Sequence, residues 1–195
     1  MADWSGFVLA GGRSRRMGTD KAFLEFRGRT LLARSLDLLR ALTTEVRIVG
    51  PGEKFAAYGP VIEDVYPGRG PLAGIHAALT ASTTELNLIL AVDLPLVTEA
   101  LLRFLIEQAG SCAATVTVPR IAGGYQPLCA VYRRAFAPVA QAALESGNNK
   151  IDALFPTTTL RVLEESELNR FAFHAAMFEN LNSPEDLRRV IPEKP

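Results

Sequence analysis

Cysteine is scarce in this chain. Only Cys112 and Cys129 occur, far apart and without a Cys-x-x-Cys partner. That speaks against a disulfide framework and against a thiolate zinc site. Two reduced, half-buried thiols are expected instead, as in a cytosolic protein. Histidine is equally scarce. Neither His76 nor His174 stands in a motif with a partner, so surface or packing roles are expected for both, and no cysteine–histidine nucleophile is readable. An excess of one charge is missing too, since 21 basic residues balance 21 acidic ones. A protein of nucleic acid or of a membrane surface usually carries a basic excess, so neither partner is expected. No apolar run approaches the roughly 18 residues of a membrane span. The N-terminus has no basic stretch leading into an apolar run of about 7–15 residues, so no signal peptide is expected and a cytoplasmic location is.

The chain does have enough apolar residues, 48% of 195, for a sizeable core. The length suits one domain over residues 1–195. Phe7 to Ala10 reads as a short buried strand running into Gly11-Gly12. Leu31, Leu32, Ser35, Leu36, Leu38, Leu39 and Leu42 fall on one face at helical spacing. Strands are expected at 44–49, 61–62 and 86–92, the last apolar on both faces. Gly70-Pro71 opens a helix to about Ala81, with proline in the first turn where its missing N–H costs little. Thr98 is placed to cap a helix striped by Leu101, Leu102, Leu105 and Ile106. This alternation predicts an α/β fold with a mostly parallel sheet and helices on both faces. The last third is less regular. Strands are expected at 114–118, 128–132 and 160–163, around a Gly123-Gly124 turn, with helical stretches at 136–145 and 151–154. Ser183-Pro184 reads as a helix start.

The densest chemistry lies in Leu9-Ala10-Gly11-Gly12-Arg13-Ser14-Arg15-Arg16-Met17-Gly18-Thr19-Asp20-Lys21. Glycines allow close backbone approach to a ligand, and a turn of free N–H groups makes an anion-binding concavity. Arg13, Arg15, Arg16 and Lys21 outweigh Asp20 there. The stretch follows a buried strand, where open α/β sheets bind their ligands. A polyphosphate is the expected guest. The loop is neither a Walker A, which needs Gly-Lys-Ser/Thr, nor a dinucleotide fingerprint. Asp93 ends the apolar strand at 86–92, and a single carboxylate in that place suits magnesium, which takes few carboxylate oxygens beside phosphates and waters. Asp64 ends the strand at 61–62 in the same way. Turn or capping roles are the structural alternatives for both.

Leu-Ala-Gly-Gly-x-Ser-x-Arg-Met-Gly-x-Asp-Lys resembles the signature of nucleotidyltransferases with a glycosyltransferase-A-like fold, and among them the molybdenum cofactor guanylyltransferases. The likeness extends through Gly28, Thr30-Leu31, Ile62-Glu63-Asp64, Gly70-Pro71-Leu72-Ala73-Gly74, Asp93-Leu94-Pro95 and Asn180-Leu181-Asn182-Ser183-Pro184-Glu185. It covers nearly the whole chain and is weakest between 110 and 175. The resemblance implies a three-layer αβα, Rossmann-like nucleotidyltransferase fold. It implies transfer of GMP from GTP to molybdopterin with Mg²⁺ as cofactor, and leaves room for transient contact with other proteins of that pathway. Leu9, Ala10, Gly11 and Gly12 would line the nucleotide pocket, with Asp64. Lys21 and Arg16 would meet the triphosphate, and Asp93 the metal-bound nucleotide.

On the acceptor side the candidates are Gln126, in Gly123-Gly124-Tyr125-Gln126-Pro127, with Lys150, Asn180 and Asn182. Hairpin chemistry and solvation explain Gln126 and Lys150 about as well. Many members of the family read guanine with an asparagine after the second strand, where this chain has Gly50. The Gly11-Gly12 doublet resembles the guanylyl branch, whereas cytidylyl relatives tend to carry alanine before a single glycine. Cytidylyl transfer and a nucleotide-binding adapter without turnover stay open as alternatives.

Overall fold

A computed structural model describes residues 3–11 and 20–181 of the protein. One sheet runs through them. Its strands are β1 (Trp4–Leu9), β4 (Val46–Val49), β5 (Val61–Ile62), β6 (Leu86–Ala91), β7 (Val116–Ile121), β8 (Gly124–Tyr125), β9 (Cys129–Arg133) and β10 (Leu160–Glu164). A two-stranded hairpin, β2 (Glu25–Phe26) with β3 (Arg29–Thr30), stands apart from it. The order across the sheet is β10-β7-β9-β6-β1-β4-β5, with β8 paired to β7. β1, β4, β5 and β6 are mutually parallel, and β9 runs antiparallel to both β6 and β7.

Helices cover both faces, as the alternation of elements predicts. α1 (Leu31–Arg40) and α4 (Glu99–Gly110) pack on one side, and α3 (Pro71–Ala81) and α5 (Ala137–Glu145) on the other. Because strand side chains alternate between faces, β1 sends Val8 to the first core and Phe7 and Leu9 to the second. β6 does the same with Leu88 and Leu90 against Ile89. Its one polar member, Asn87, is fully buried but satisfied, donating to the carbonyls of Tyr132, Thr84 and Glu85. α3 is apolar nearly all round, as befits a helix buried between the sheet and α5.

Start signals placed α3 and α4 well. Gly70 caps α3 at φ 75°, ψ −165°, a conformation that penalises any side chain, and Pro71 follows at the first position. The Thr98 hydroxyl accepts the Leu101 N–H at 3.3 Å. The helical stretch expected at 151–154 is a 3₁₀ helix over residues 152–157, with Pro156 inside it. One expectation needs correction. Cys129 is not half-buried but fully buried in β9, and burial pushes its thiol up to about 12. Only Cys112 is half-buried. Short elements escaped notice altogether: the β2–β3 hairpin, α2 (Gly52–Phe55) and α6 (Glu165–Arg170). The helix start expected at Ser183 lies outside the described residues. No helix among the described residues is long and apolar enough to cross a membrane.

Candidate active site

Register decides which residues meet. Leu9 pairs with Val49 on one side and Ala91 on the other, and Val49 pairs with Ile62. Four parallel strands therefore end level. Ala10-Gly11, Gly50, Glu63-Asp64 and Val92-Asp93 emerge side by side along one edge. The chain moves from β1 outward to β4 and β5, then returns to β6 on the far side of β1. The crevice between β1 and β6 is thus the topological switch point, where sheets of this kind bind ligands.

Asp93 and Lys21 face each other there. Lys21 Nζ donates to Asp93 Oδ2 at 3.1 Å, across 72 residues of sequence. Both side chains are about one-fifth exposed, at 23% and 21%, so they can be reached from solvent but are not fully hydrated. The backbone around Asp93 is held from both sides. The Val92 N–H donates to the Leu9 carbonyl at 3.1 Å, and the Asp93 carbonyl accepts the Leu181 N–H at 2.9 Å. Arg34, on α1, adds a bond to the Pro95 carbonyl at 3.1 Å. Burial holds the Arg34 guanidinium below its ordinary pKa, with Arg27 and Arg29 adding to the effect.

Lys21 is presented by a 3₁₀ turn, Lys21–Phe23, capped by Asp20. The Asp20 Oδ1 accepts the Ala22 N–H at 3.1 Å, and Lys54 Nζ reaches Asp20 Oδ2 at 3.1 Å. Phe23 packs on Phe55 and Tyr58, with ring centres 5.9 and 5.7 Å apart.

Asp64 is placed differently. One of its oxygens, Oδ1, is buried with no hydrogen-bond partner among the described residues, and burial raises its carboxyl above the usual range. It lies beside Gly74 of α3, close to Leu9 and Val49. A buried acceptor without a donor is a place for a ligand N–H or O–H, because leaving it unmade costs about 1–3 kcal/mol.

Gly50 cannot carry a side chain as the backbone stands. A Cβ there would lie 2.8 Å from Phe55 Cε2 and 3.2 Å from the Gly11 nitrogen. The space that an asparagine side chain would take is filled by the Phe55 ring. The N–H groups of Ala10 and Gly11 are also committed, both to the Val49 carbonyl, at 3.0 and 3.1 Å. The expected concavity of free N–H groups therefore does not begin at these residues.

Gln126 and Asn180 come to the same edge. β9 is reversed, so its start lies beside the end of β6, and the Ala91 N–H donates to the Leu128 carbonyl at 2.8 Å. Asn180 is exposed next to Leu181, which is bonded to Asp93. Lys150 follows α5, whose last turn meets the loop after Asp64 through the Tyr66 hydroxyl, which donates to Glu145 Oε1 at 3.2 Å, and no described hydrogen bond or ion pair links Lys150 to Asp64 or Asp93. Gly12, Arg16 and Asn182 lie outside the described residues. His76 is buried edge-on to Tyr66, and His174 is exposed beside Asn169.

The donor set at Asp93 fits a magnesium ion. It offers one carboxylate at a strand end, with the Lys21 ammonium standing in the position of a cation, and magnesium takes few carboxylate oxygens beside phosphates and waters.

An α/β sheet with cation and carboxylate at its switch point suits the handling of nucleoside triphosphates, and comparison with known proteins narrows that class. The chain belongs to the family of MobA-like NTP transferase domains, which matches residues 6–161. It is 35% identical to a probable molybdenum cofactor guanylyltransferase of Pelotomaculum thermopropionicum, over 99% of this chain and 95% of that protein. It is 32% identical to the molybdenum cofactor guanylyltransferase of Desulfosudis oleivorans, over 95% and 93%. Among solved structures it resembles molybdopterin-guanine dinucleotide biosynthesis protein A from Archaeoglobus fulgidus, with a TM-score of 0.83 at 27% identity, covering 95% of each chain. The 2-C-methyl-D-erythritol 4-phosphate cytidylyltransferase of Thermus thermophilus shares the fold, with a TM-score of 0.68 at 18% identity over 96% of each chain.

Proposed function

We propose that this nucleotidyltransferase moves GMP from GTP to the terminal phosphate of molybdopterin, releasing pyrophosphate, with Mg²⁺ held at Asp93. The observation that carries the reading is the Lys21–Asp93 pair at the crevice between β1 and β6, level with the ends of four parallel strands. The full-length likeness to guanylyltransferases supports the choice of nucleotide and acceptor.

In the reaction a phosphate oxygen of the acceptor forms a bond to the α-phosphorus of GTP. The bond from that phosphorus to the bridging oxygen of the β-phosphate breaks, and pyrophosphate leaves. A terminal phosphate is largely ionised near pH 7, so no general base is needed. Catalysis is then positioning and charge neutralisation. A bound Mg²⁺ would supply Lewis-acid neutralisation of the phosphate oxygens. Asp93 would hold it, fixed through its backbone by Leu181 and through Val92 by Leu9. Lys21, with Arg16, would offset charge on the leaving pyrophosphate. Leu9, Ala10, Gly11 and Gly12 would form the floor under the nucleotide, and the orphan oxygen of Asp64 would accept a donor from it. Gln126, Asn180 and Asn182 would contact the acceptor, and Lys150 would meet it only from the α5 side. Other proteins of molybdenum cofactor synthesis would be transient partners.

Gly50 favours a second reading, cytidylyl transfer, because no side chain at that position reads guanine. Calorimetry of GTP and CTP side by side, with Mg²⁺, separates the two. Guanylyl transfer requires a clear preference for GTP. Preference for CTP, or equal binding, sinks it.

A further inference from the structure

We propose that Lys54 is a positioning residue for Lys21, acting by holding the Asp20 carboxylate away from it. The inference rests on the reading of Lys21 as a ligand of the triphosphate. Among the described residues, two lysine–aspartate pairs stand at this end of the sheet: Lys21 with Asp93, and Lys54 with Asp20, each at 3.1 Å. Asp20 directly precedes Lys21 in the chain, so its carboxylate is the built-in competitor for that ammonium group.

Asp20 is kept from that role at both oxygens. Oδ1 accepts the Ala22 N–H and Oδ2 accepts Lys54 Nζ. Its side chain is only 18% exposed, so solvent does little to screen a charge left unmatched there. Lys54 is delivered by a fixed platform. The α2 helix that carries it is tied down by the Gly52 N–H bond to Glu63 Oε1 at 2.7 Å, and by Phe55, which is fully buried and packs on Phe23 two residues beyond Lys21. The same short helix follows Gly50, so the phosphate-side lysine and the Gly50 turn share one support. Lys54 thereby leaves Lys21 to Asp93 in the empty protein and to the triphosphate in the bound one.

Calorimetry with GTP and GMP tests this, because only GTP presents the phosphates that Lys21 would meet. Lys54→Met is expected to weaken GTP binding about three- to fivefold, the scale of a partly exposed ion pair, and to leave GMP binding unchanged. Lys54→Arg restores GTP affinity. Adding Asp20→Asn to Lys54→Met also restores it, since the amide oxygen keeps the cap while the competing charge is gone. The gain must exceed what Asp20→Asn gives alone, which a double-mutant cycle measures. Three results overturn the proposal: no loss of GTP affinity in Lys54→Met, equal loss for GTP and GMP, or a loss that Asp20→Asn fails to relieve. The last would make Lys54 itself a phosphate ligand. Lys21→Ala is run in parallel. Unchanged GTP binding there would remove Lys21 from the site, a failure distinct from that of Lys54.

Discussion

Asp93 and Asp64 end two parallel strands of one sheet on one edge, and their surroundings are opposite. Asp93 has a lysine at its carboxylate and backbone partners on both sides of it. Asp64 has, among the described residues, neither cation nor donor for its buried oxygen, and burial lifts its pKa. The first is charge held in balance. The second is an unmet demand, retained at the expense of stability. A site that must both neutralise phosphates and recognise a nucleoside has reason to keep these two conditions apart.

Substitutions can sharpen that contrast. The largest effect is expected at Asp93. Asp93→Ala should lower the transfer rate by about 10²- to 10³-fold, the scale of losing a main electrostatic group at a reacting centre. The melting curve should stay close to that of the parent. Transfer at an undiminished rate would mean that Asp93 does not hold the metal.

Next comes Gly50→Asn, which asks whether the missing asparagine can be restored. The Phe55 ring blocks it, so overpacking should cost about 1–3 kcal/mol and lower the melting temperature by several degrees, about 2–4 °C per kcal/mol for a chain of this size. A stable Gly50→Asn protein would show that Phe55 yields.

The smallest effect is expected at Asp64. Asp64→Asn should raise the melting temperature of the nucleotide-free protein by about 2 °C at neutral pH, while weakening nucleotide binding. The sign follows from burial. The folded protein keeps the Asp64 proton to higher pH than the unfolded chain does, so this carboxyl costs stability once pH rises through its folded pKa. The gain from Asp64→Asn should therefore fade on acidification and vanish below the ordinary aspartate range of about 3.9. A destabilised variant at pH 7 would break the comparison of the two aspartates.

Much of this was readable from residue order. Gly70-Pro71 and Thr98 marked helix starts because capping is local chemistry, and β1 and β6 stood out as buried apolar runs. Lys21, Asp64 and Asp93 could be named as types of residue in suggestive places. The family resemblance put them at one nucleotide site, but residue order alone does not show the Lys21–Asp93 contact, which depends on strand order and register across 72 residues. The Lys54–Asp20 pair escaped for the same reason, and α2 because four residues are too few to show a period. The direction of β9 was hidden as well, because an apolar run reads alike both ways. Nothing in the local sequence of Gly50 shows that Phe55 fills the space beside it.

The reversal of β9 has a wider consequence. Along the edge of a purely parallel sheet, every loop that leaves the surface is followed by a crossover, and changing its length disturbs the helix behind it. One reversed strand lets a hairpin, residues 122–128, arrive at the same edge from the opposite chain direction. That hairpin can lengthen, shorten or change composition while the four level strand ends beside it stay as they are. The protein thus holds four level strand ends next to a rim whose length and composition can change without rebuilding them.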